Sequence, residues 1–314
     1  MSAILEVDHL IKKYGDFTAV NDISFTINEG EIFSLLGPNG AGKTTTISIL
    51  STLFAPSGGD ASIGGFSVLN DPMAVRKLIG VVPQEIALYE DLTAIENLNF
   101  WGQMYGLSGK ALNTRVSEVL EQIDLVDKAK SRVKTYSGGM KRRVNIGVGL
   151  LHRPKLLFMD EPTVGIDPQS RRAILDSVKE LNKQGMTVLY TTHYMEEAHE
   201  LSDRVGIIDH GKLIALGTQA ELTRQVGEND TLTLHLGETD GLEQFLPAVQ
   251  KLPGVKHADQ SDHSLTVITP DAAAVLAPVI STATGLGIKI TSVDIQEPNL
   301  EAVFLSLTGR ALRD

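Results

Sequence analysis

Apolar residues recur along this chain with two periods, and the order in which the periods alternate predicts the architecture. Residues 3–33 alternate by twos: Leu5, Val7 and Leu10, then Val20, Ile23, Phe25 and Ile27. Short segments of this kind, punctuated by Glu29-Gly30, predict an antiparallel β-layer. Ile32, Phe33, Leu35 and Leu36 form an apolar run that reads as a buried strand, and Ile47, Ile49, Leu50 and Leu53 predict a helix after it. A loop at 56–60 precedes a short strand at 61–63. Asp71 as N-cap with Pro72 at the first helical position opens a short helix. Residues 79–83 read as a strand ended by Pro83, and 89–132 as mainly helical, with Val116, Val119, Leu120 and Ile123 on one face.

The second half continues the alternation of strand and helix. Residues 155–159 and 187–191 are apolar strands. Between them Asp167-Pro168 caps a helix that carries Ile174, Leu175, Val178 and Leu181 on one face. Residues 205–208 and 213–216 predict a hairpin turning at His210-Gly211. The acidic stretch Gly227-Glu228-Asn229-Asp230 marks a boundary between domains at 1–226 and 227–314. Beyond it the segments 231–236, 241–252, 255–260, 264–269, 271–285 and 288–296 run strand, helix, strand, strand, helix, strand. That order predicts a small ferredoxin-like α+β domain. A terminal helix starts at Pro298-Asn299, with Leu300, Val303, Phe304 and Leu307 on one face.

The chemistry concentrates in four places. Between the strand at 32–36 and its helix stand Gly37, Pro38, Asn39, Gly40, Ala41, Gly42, Lys43, Thr44 and Thr45. They satisfy G-x-x-x-x-G-K-[ST], the phosphate-binding loop. A chance match in a chain this long has odds of about 1%. Glycines let backbone N–H groups encircle a polyphosphate, and the positive end of the helix dipole points at the same charge. Lys43 would neutralise the β- and γ-phosphates and the Thr44 hydroxyl would ligate Mg²⁺. Asp160 and Glu161 end the strand at 155–159, where one carboxylate can hold Mg²⁺ and the other can orient or deprotonate water. His193 follows the strand at 187–191 and can donate a hydrogen bond to a phosphate. Ser137, Gly138 and Gly139 open a helix with an N-cap and bare backbone donors.

Composition narrows the partners. The 314 residues carry a net charge of −11, with 42% hydrophobic and 21% charged residues and no cysteine. An acidic chain argues against general nucleic-acid binding, and Lys141, Arg142 and Arg143 read as a solvated helix face. Lacking cysteine, it has no disulfide framework and no thiolate metal site. Glu6, Asp8, Lys12 and Lys13 interrupt any signal-peptide core, and no window approaches about 18 uninterrupted apolar residues. A transport function would therefore need a membrane part supplied by another chain. His193 and His199 do not fit the spacing of a zinc-binding helix.

The ordered set of residues 37–44, Gln84, Ser137-Gly138-Gly139, Asp160-Glu161, Asp167 and His193 resembles the ATP-binding subunit of an ABC transporter over residues 1 to about 220. The resemblance implies a P-loop ABC ATPase core with an antiparallel β-layer and a helical subdomain. It implies that Tyr14 stacks on adenine, that Gln84 touches Mg²⁺ and the membrane partner, that Asp160 is the Mg²⁺-associated carboxylate, that Glu161 is the catalytic base, and that His193 senses the γ-phosphate. Ser137, Gly138 and Gly139 would meet ATP across an interface with a second ATPase subunit, and Asp167 belongs to the nucleotide-binding set. Met140 and Tyr136 depart from the common signature, as does Val164-Gly165-Ile166 before Asp167. These variations, and residues 297–304, look like type-2 exporter subunits of the daunorubicin-resistance kind. The implied setting is the cytoplasmic face of the cell membrane, with separate permease chains and no nucleic acid. Two other classes remain to be weighed. A ribosome- or DNA-acting ABC ATPase usually carries two cassettes or a coiled coil, and a P-loop kinase leaves Ser137 to Gly139 unexplained.

Overall fold

The structure, a computed structural model, describes residues 2–226, 229–237, 242–261, 263–296 and 299–308. Gly227, Glu228, Gly241, Glu297 and Pro298, on which parts of the expected boundary and helix starts fall, lie outside them.

In chain order the first unit contains β1 (Ala3–Tyr14), β2 (Phe17–Asn28), β3 (Ile32–Leu36), α1 (Lys43–Leu50), β4 (Gly58–Ile63) and β5 (Phe66–Ser67). Then come α2 (Pro72–Leu78), β6 (Ile79–Val82), α3 (Ala94–Met104), α4 (Gly109–Gln122), α5 (Gly138–Leu150), β7 (Leu156–Asp160), α6 (Pro168–Lys183), β8 (Thr187–Thr192), α7 (Met195–Leu201), β9 (Arg204–Asp209) and β10 (Lys212–Gly217). Two sheets result. The alternating N-terminal segments pair as an antiparallel layer in the order β2-β1-β4-β5. The apolar runs form a six-stranded sheet in the order β10-β9-β3-β8-β7-β6, parallel except at the β9–β10 hairpin.

Every residue of β3, β7 and β8 is buried, which is why these strands read as continuous apolar runs and not as alternation. On one face Phe33, Leu35, Phe158 and Leu189 pack with Ile47, Ile49 and Leu50 of α1 and with the antiparallel layer. On the other, Leu157, Met159, Val188 and Tyr190 pack with Val144 and Ile146 of α5 and Ile174 and Val178 of α6. Fully burying one such side chain contributes about 1.5–3 kcal/mol, so the sheet is a rigid platform for whatever its strand ends carry.

Two local expectations shift, and one helix is new. α1 ends at Leu50 because the chain turns through Thr52 at φ +62, leaving Leu53 beyond the helix and 68% exposed. Asp71 occupies the cap position of α2, but its carboxylate accepts from Ser67 N at 3.3 Å instead of capping the helix. α7 has seven residues, too few for its period to show in sequence.

The second compact unit begins at Gln219, eight residues before the expected boundary, because α8 (Gln219–Val226) packs against the terminal helix. It continues with β11 (Asp230–Leu236), α9 (Leu242–Val249), β12 (His257–Ser261), β13 (Ser264–Thr269), α10 (Ala272–Gly285), β14 (Ile290–Gln296) and α11 (Leu300–Thr308). The strands are antiparallel in the order β12-β13-β11-β14, and the elements follow the βαββαβ order read from the sequence. β12 starts two residues late because Val255 N still bonds Leu252 O in the turn after α9. In α11, Leu300, Val303 and Phe304 are buried while Leu307 is 43% exposed.

Candidate functional site

Parallel register assembles the site. Leu36 pairs with Thr192 and Asp160 with Thr191, so the residues just past β3, β7 and β8 emerge side by side at the carboxyl edge of the sheet. Those residues are Gly37, Glu161 and His193, and this edge is where ligands bind in open α/β sheets.

The loop from Gly37 to Gly42 needs its glycines. Gly40 and Gly42 have φ +80 and +108, and a Cβ on Gly42 would meet the Ala19 carbonyl oxygen at 2.5 Å. α1 starts with Gly42 in the cap position, no side-chain cap and no acidic residue in its first turn. Its leading N–H groups and dipole are therefore available to an anion. Lys43 is 4% exposed, its Nζ held 2.5 Å from Gly37 O, 2.9 Å from Pro38 O and 3.0 Å from Glu161 Oε1. Burial lowers the Lys43 pKa, and the charges of Glu161 and Asp160 oppose that shift.

Glu161 is 5% exposed and sits at φ +43, a left-handed backbone that a non-glycine residue adopts at a cost of about 1–3 kcal/mol. The conformation lets consecutive carboxylates serve one place despite leaving a strand. The Thr191 hydroxyl fixes both, donating to Asp160 Oδ1 at 2.7 Å and accepting from Glu161 N at 3.0 Å. The second carboxylate oxygen of Glu161 lies 3.2 Å from His193 Nδ1, which makes no aligned hydrogen bond although it is buried. Burial raises the Asp160 pKa, while hydrogen bonds from Thr191 and Thr44 pull it down.

Two carboxylates against one ammonium leave negative charge for a cation to balance. The oxygen donors present, a hydroxyl and a carboxylate beside a phosphate loop, suit Mg²⁺, which takes few protein ligands and completes its shell with phosphate and water. Among the described residues no cluster of three or more His, Cys, Asp or Glu forms a metal cage.

A cavity of about 290 Å³ lies over the loop, lined by Asn39, Gly40, Gly42, Lys43, Thr44, Thr45, Gln84 and Glu161, with Phe17 and Ala19 as its apolar wall. Tyr14 lies across the β1–β2 turn from Phe17 and packs edge-on to Phe54 at 6.4 Å, with Lys12 over its ring. Ser137 accepts from Met140 N at 3.2 Å as the cap of α5, and Gly139 lies so close to Ser170 that a Cβ there would come within 2.3 Å. Asp167 caps α6 through Ser170 N at 2.9 Å, a bond that lowers its pKa. None of Ser137, Gly138, Gly139 and Asp167 lines the cavity over the loop.

These features match known proteins across the whole length. The model of the ABC transporter family matches residues 20–164. The linearmycin resistance ATP-binding protein LnrL of Bacillus subtilis is 49% identical, covering 99% of this chain and 100% of that protein. The chain belongs to the ABC transporter ATP-binding proteins. The daunorubicin resistance ATP-binding protein DrrA3 of Streptomyces coeruleorubidus is 38% identical over 97% of this chain and 96% of its own. A solved ATP-binding subunit of an ABC transporter superimposes with a TM-score of 0.64 at 33% identity, covering 71% of this chain and 93% of that one. A second solved cassette, a dimeric post-hydrolysis state bound to ADP and Pi, gives 0.62 at 27% identity over 68% and 98%. This ABC ATPase is an ATP hydrolase with the cassette fold, and it is the ATP-binding subunit of an exporter-type system.

Sequence reasoning missed Phe17, Thr191, Thr163 and Glu197 around this site. Phe17 had a signal, being an aromatic next to a Tyr-Gly turn, while the others are single polar residues in apolar or short segments. Phe17 is 64% exposed and lines the cavity over the loop. Stacking a base on an aromatic ring contributes about 1–3 kcal/mol. Phe17→Ala is therefore expected to raise the KM for ATP about tenfold with little change in kcat, as steady-state kinetics would show. An unchanged KM would remove Phe17 from base recognition.

Proposed function

We propose that this chain powers an exporter through separate membrane-spanning subunits, docked at the cytoplasmic face of the membrane, by closing two ATPase subunits around Mg-ATP. The observation that carries this reading is the division of the motifs. The phosphate loop, Asp160, Glu161 and His193 converge on one cavity, while Ser137 to Gly139 start a capped helix apart from it. A capped helix start with exposed N–H groups is an anion site in need of a phosphate, and a second copy can bring one. The solved relative described as a dimer with ADP and Pi supports that arrangement.

Within each site Lys43 and the first-turn N–H groups of α1 would hold the β- and γ-phosphates, exchanging the contacts Lys43 now makes with loop carbonyls. Glu161 would accept the proton of the attacking water, and His193 would orient the γ-phosphate against it. Thr44, Asp160 and Gln84 would hold Mg²⁺, which supplies charge neutralisation of the phosphates. Phe17 or Tyr14 would receive the base.

The membrane partner would meet a groove of about 980 Å³ whose lining includes Met73, Met104, Tyr105 and Leu107 together with basic residues such as Arg76 and Lys110. Met73 and Met104 are 65% and 69% exposed. Flexible methionines suit docking of a partner segment. The relatives named for linearmycin and daunorubicin resistance support a small-molecule cargo.

Mixing two inactive variants tests the shared site. Ser137→Arg and Lys43→Met subunits, each expected to be inactive alone, should regain about a quarter of wild-type ATPase activity when mixed equally, since half the dimers hold one intact composite site of two. No recovery at any ratio, with both variants folded, would contradict a site shared between subunits.

A further inference from the structure

A second buried carboxylate lies behind the hydrolytic residues. Glu197, on α7, is 2% exposed. Its Oε1 accepts from the Thr163 hydroxyl at 2.6 Å, and its Oε2 accepts from the Tyr190 and Thr192 hydroxyls at 2.9 Å each. Arg171 Nε stands 3.6 Å from Oε1, and the guanidinium lies 4.3 Å from the Tyr194 ring centre.

These partners belong to the two segments that carry the chemistry. Thr163 sits in the turn running from Glu161 to Asp167, where Val164 N bonds Glu161 O and Ile166 N bonds Thr163 O. Thr192 and Tyr194 bracket His193, and Tyr194 N donates to the Thr192 hydroxyl at 2.9 Å. One carboxylate thus takes one oxygen to the Glu161 segment and the other to the His193 segment. A buried charge held by three hydroxyls is costly to reorganise, so it favours a single arrangement of its partners. A leucine in a seven-residue helix would bury this position without that cost, so the carboxylate calls for a reason beyond packing.

We propose that Glu197 is a positioning residue of ATP hydrolysis, holding the His193 turn and the Glu161-to-Asp167 loop in register with one another. The proposal rests on the roles given above to Glu161 and His193. Glu197→Gln keeps the shape but removes the charge and replaces one acceptor by a donor, so the hydroxyls on that side can no longer donate to it and must turn to accept.

A double-mutant cycle on the full chain tests it, with ATP dissociation constants and melting temperatures measured beside kcat. Glu197→Gln is expected to lower kcat about tenfold and leave the ATP Kd within about twofold. In a His193→Ala background the same substitution should lower kcat by less than about twofold, because one of the two groups it keeps in register is gone. Should Glu197→Gln fail to fold, Thr163→Val, which removes one donor, takes its place with an expected fall of about threefold. Wild-type kcat in Glu197→Gln alongside a depressed His193→Ala would overturn this inference alone. So would losses that multiply fully in the double variant, or a loss confined to ATP binding. Full activity in His193→Ala would overturn the role of His193 and this proposal with it.

Discussion

Replacing Glu161 with glutamine is expected to lower ATP turnover by at least about 100-fold while leaving ATP binding within about threefold of wild type. General-base catalysis contributes about 10²–10⁴-fold, and the amide cannot accept the proton of the attacking water. The rest of the site survives the change. The amide oxygen of the new side chain can still accept from Lys43, now 3.0 Å from the carboxylate, and the backbone remains fixed by Thr191. Single-turnover hydrolysis measured beside ATP binding separates the two effects. Turnover near the wild-type rate would remove Glu161 as the base and leave its strained backbone without a catalytic reason.

Lys43→Met is expected to have the opposite signature, losing ATP binding by about 100-fold or more and destabilising the nucleotide-free protein as well. The side chain is the cation of a buried pair, at 4% exposure against 5% for Glu161. Removing one partner of such a pair costs about 3–5 kcal/mol, because the other charge stays buried and unpaired. Thermal unfolding without nucleotide should show a clear drop in Tm. Combining Lys43→Met with Glu161→Gln should recover much of the stability and none of the binding, since the uncompensated charge is gone but so is the phosphate contact. An unchanged Tm in Lys43→Met would mean that the ammonium and carboxylate do not depend on each other.

The contiguous parts of the site were legible in sequence because their chemistry demands adjacent residues. A loop that encircles phosphate must place Gly37, Gly40, Gly42, Lys43 and Thr44 in one run, and Asp160-Glu161 must close an apolar strand. The strands at 32–36, 155–159 and 187–191 were equally plain, since burial on both faces leaves no polar position. Their order in the sheet was not, because the parallel crossovers through α5, α6 and α1 are decided by packing. That order is what brings Gly37, Glu161 and His193 together.

Residues that act through others stayed hidden. Glu197 reads as one of three glutamates in a short polar segment, and only the fold shows its oxygens facing Thr163, Tyr190 and Thr192. Phe17 and Tyr14 both flank one turn, and only the fold shows that Phe17 walls the cavity while Tyr14 meets Phe54. The element that opens the second unit stayed hidden for a similar reason. Gln219–Val226 is an amphipathic helix that could close either unit, and its packing against α11, a partner distant in sequence, decides the matter.

The central claim is that ATP joins two copies of this ATPase through sites built from both. It is tested most directly by sedimentation of full-length Glu161→Gln with and without ATP and Mg²⁺. A hydrolysis-deficient subunit that still binds ATP should sediment as a dimer with nucleotide and as a monomer without it, and Ser137→Arg in the same background should abolish the shift. A subunit that binds ATP yet remains monomeric at every concentration would contradict the claim.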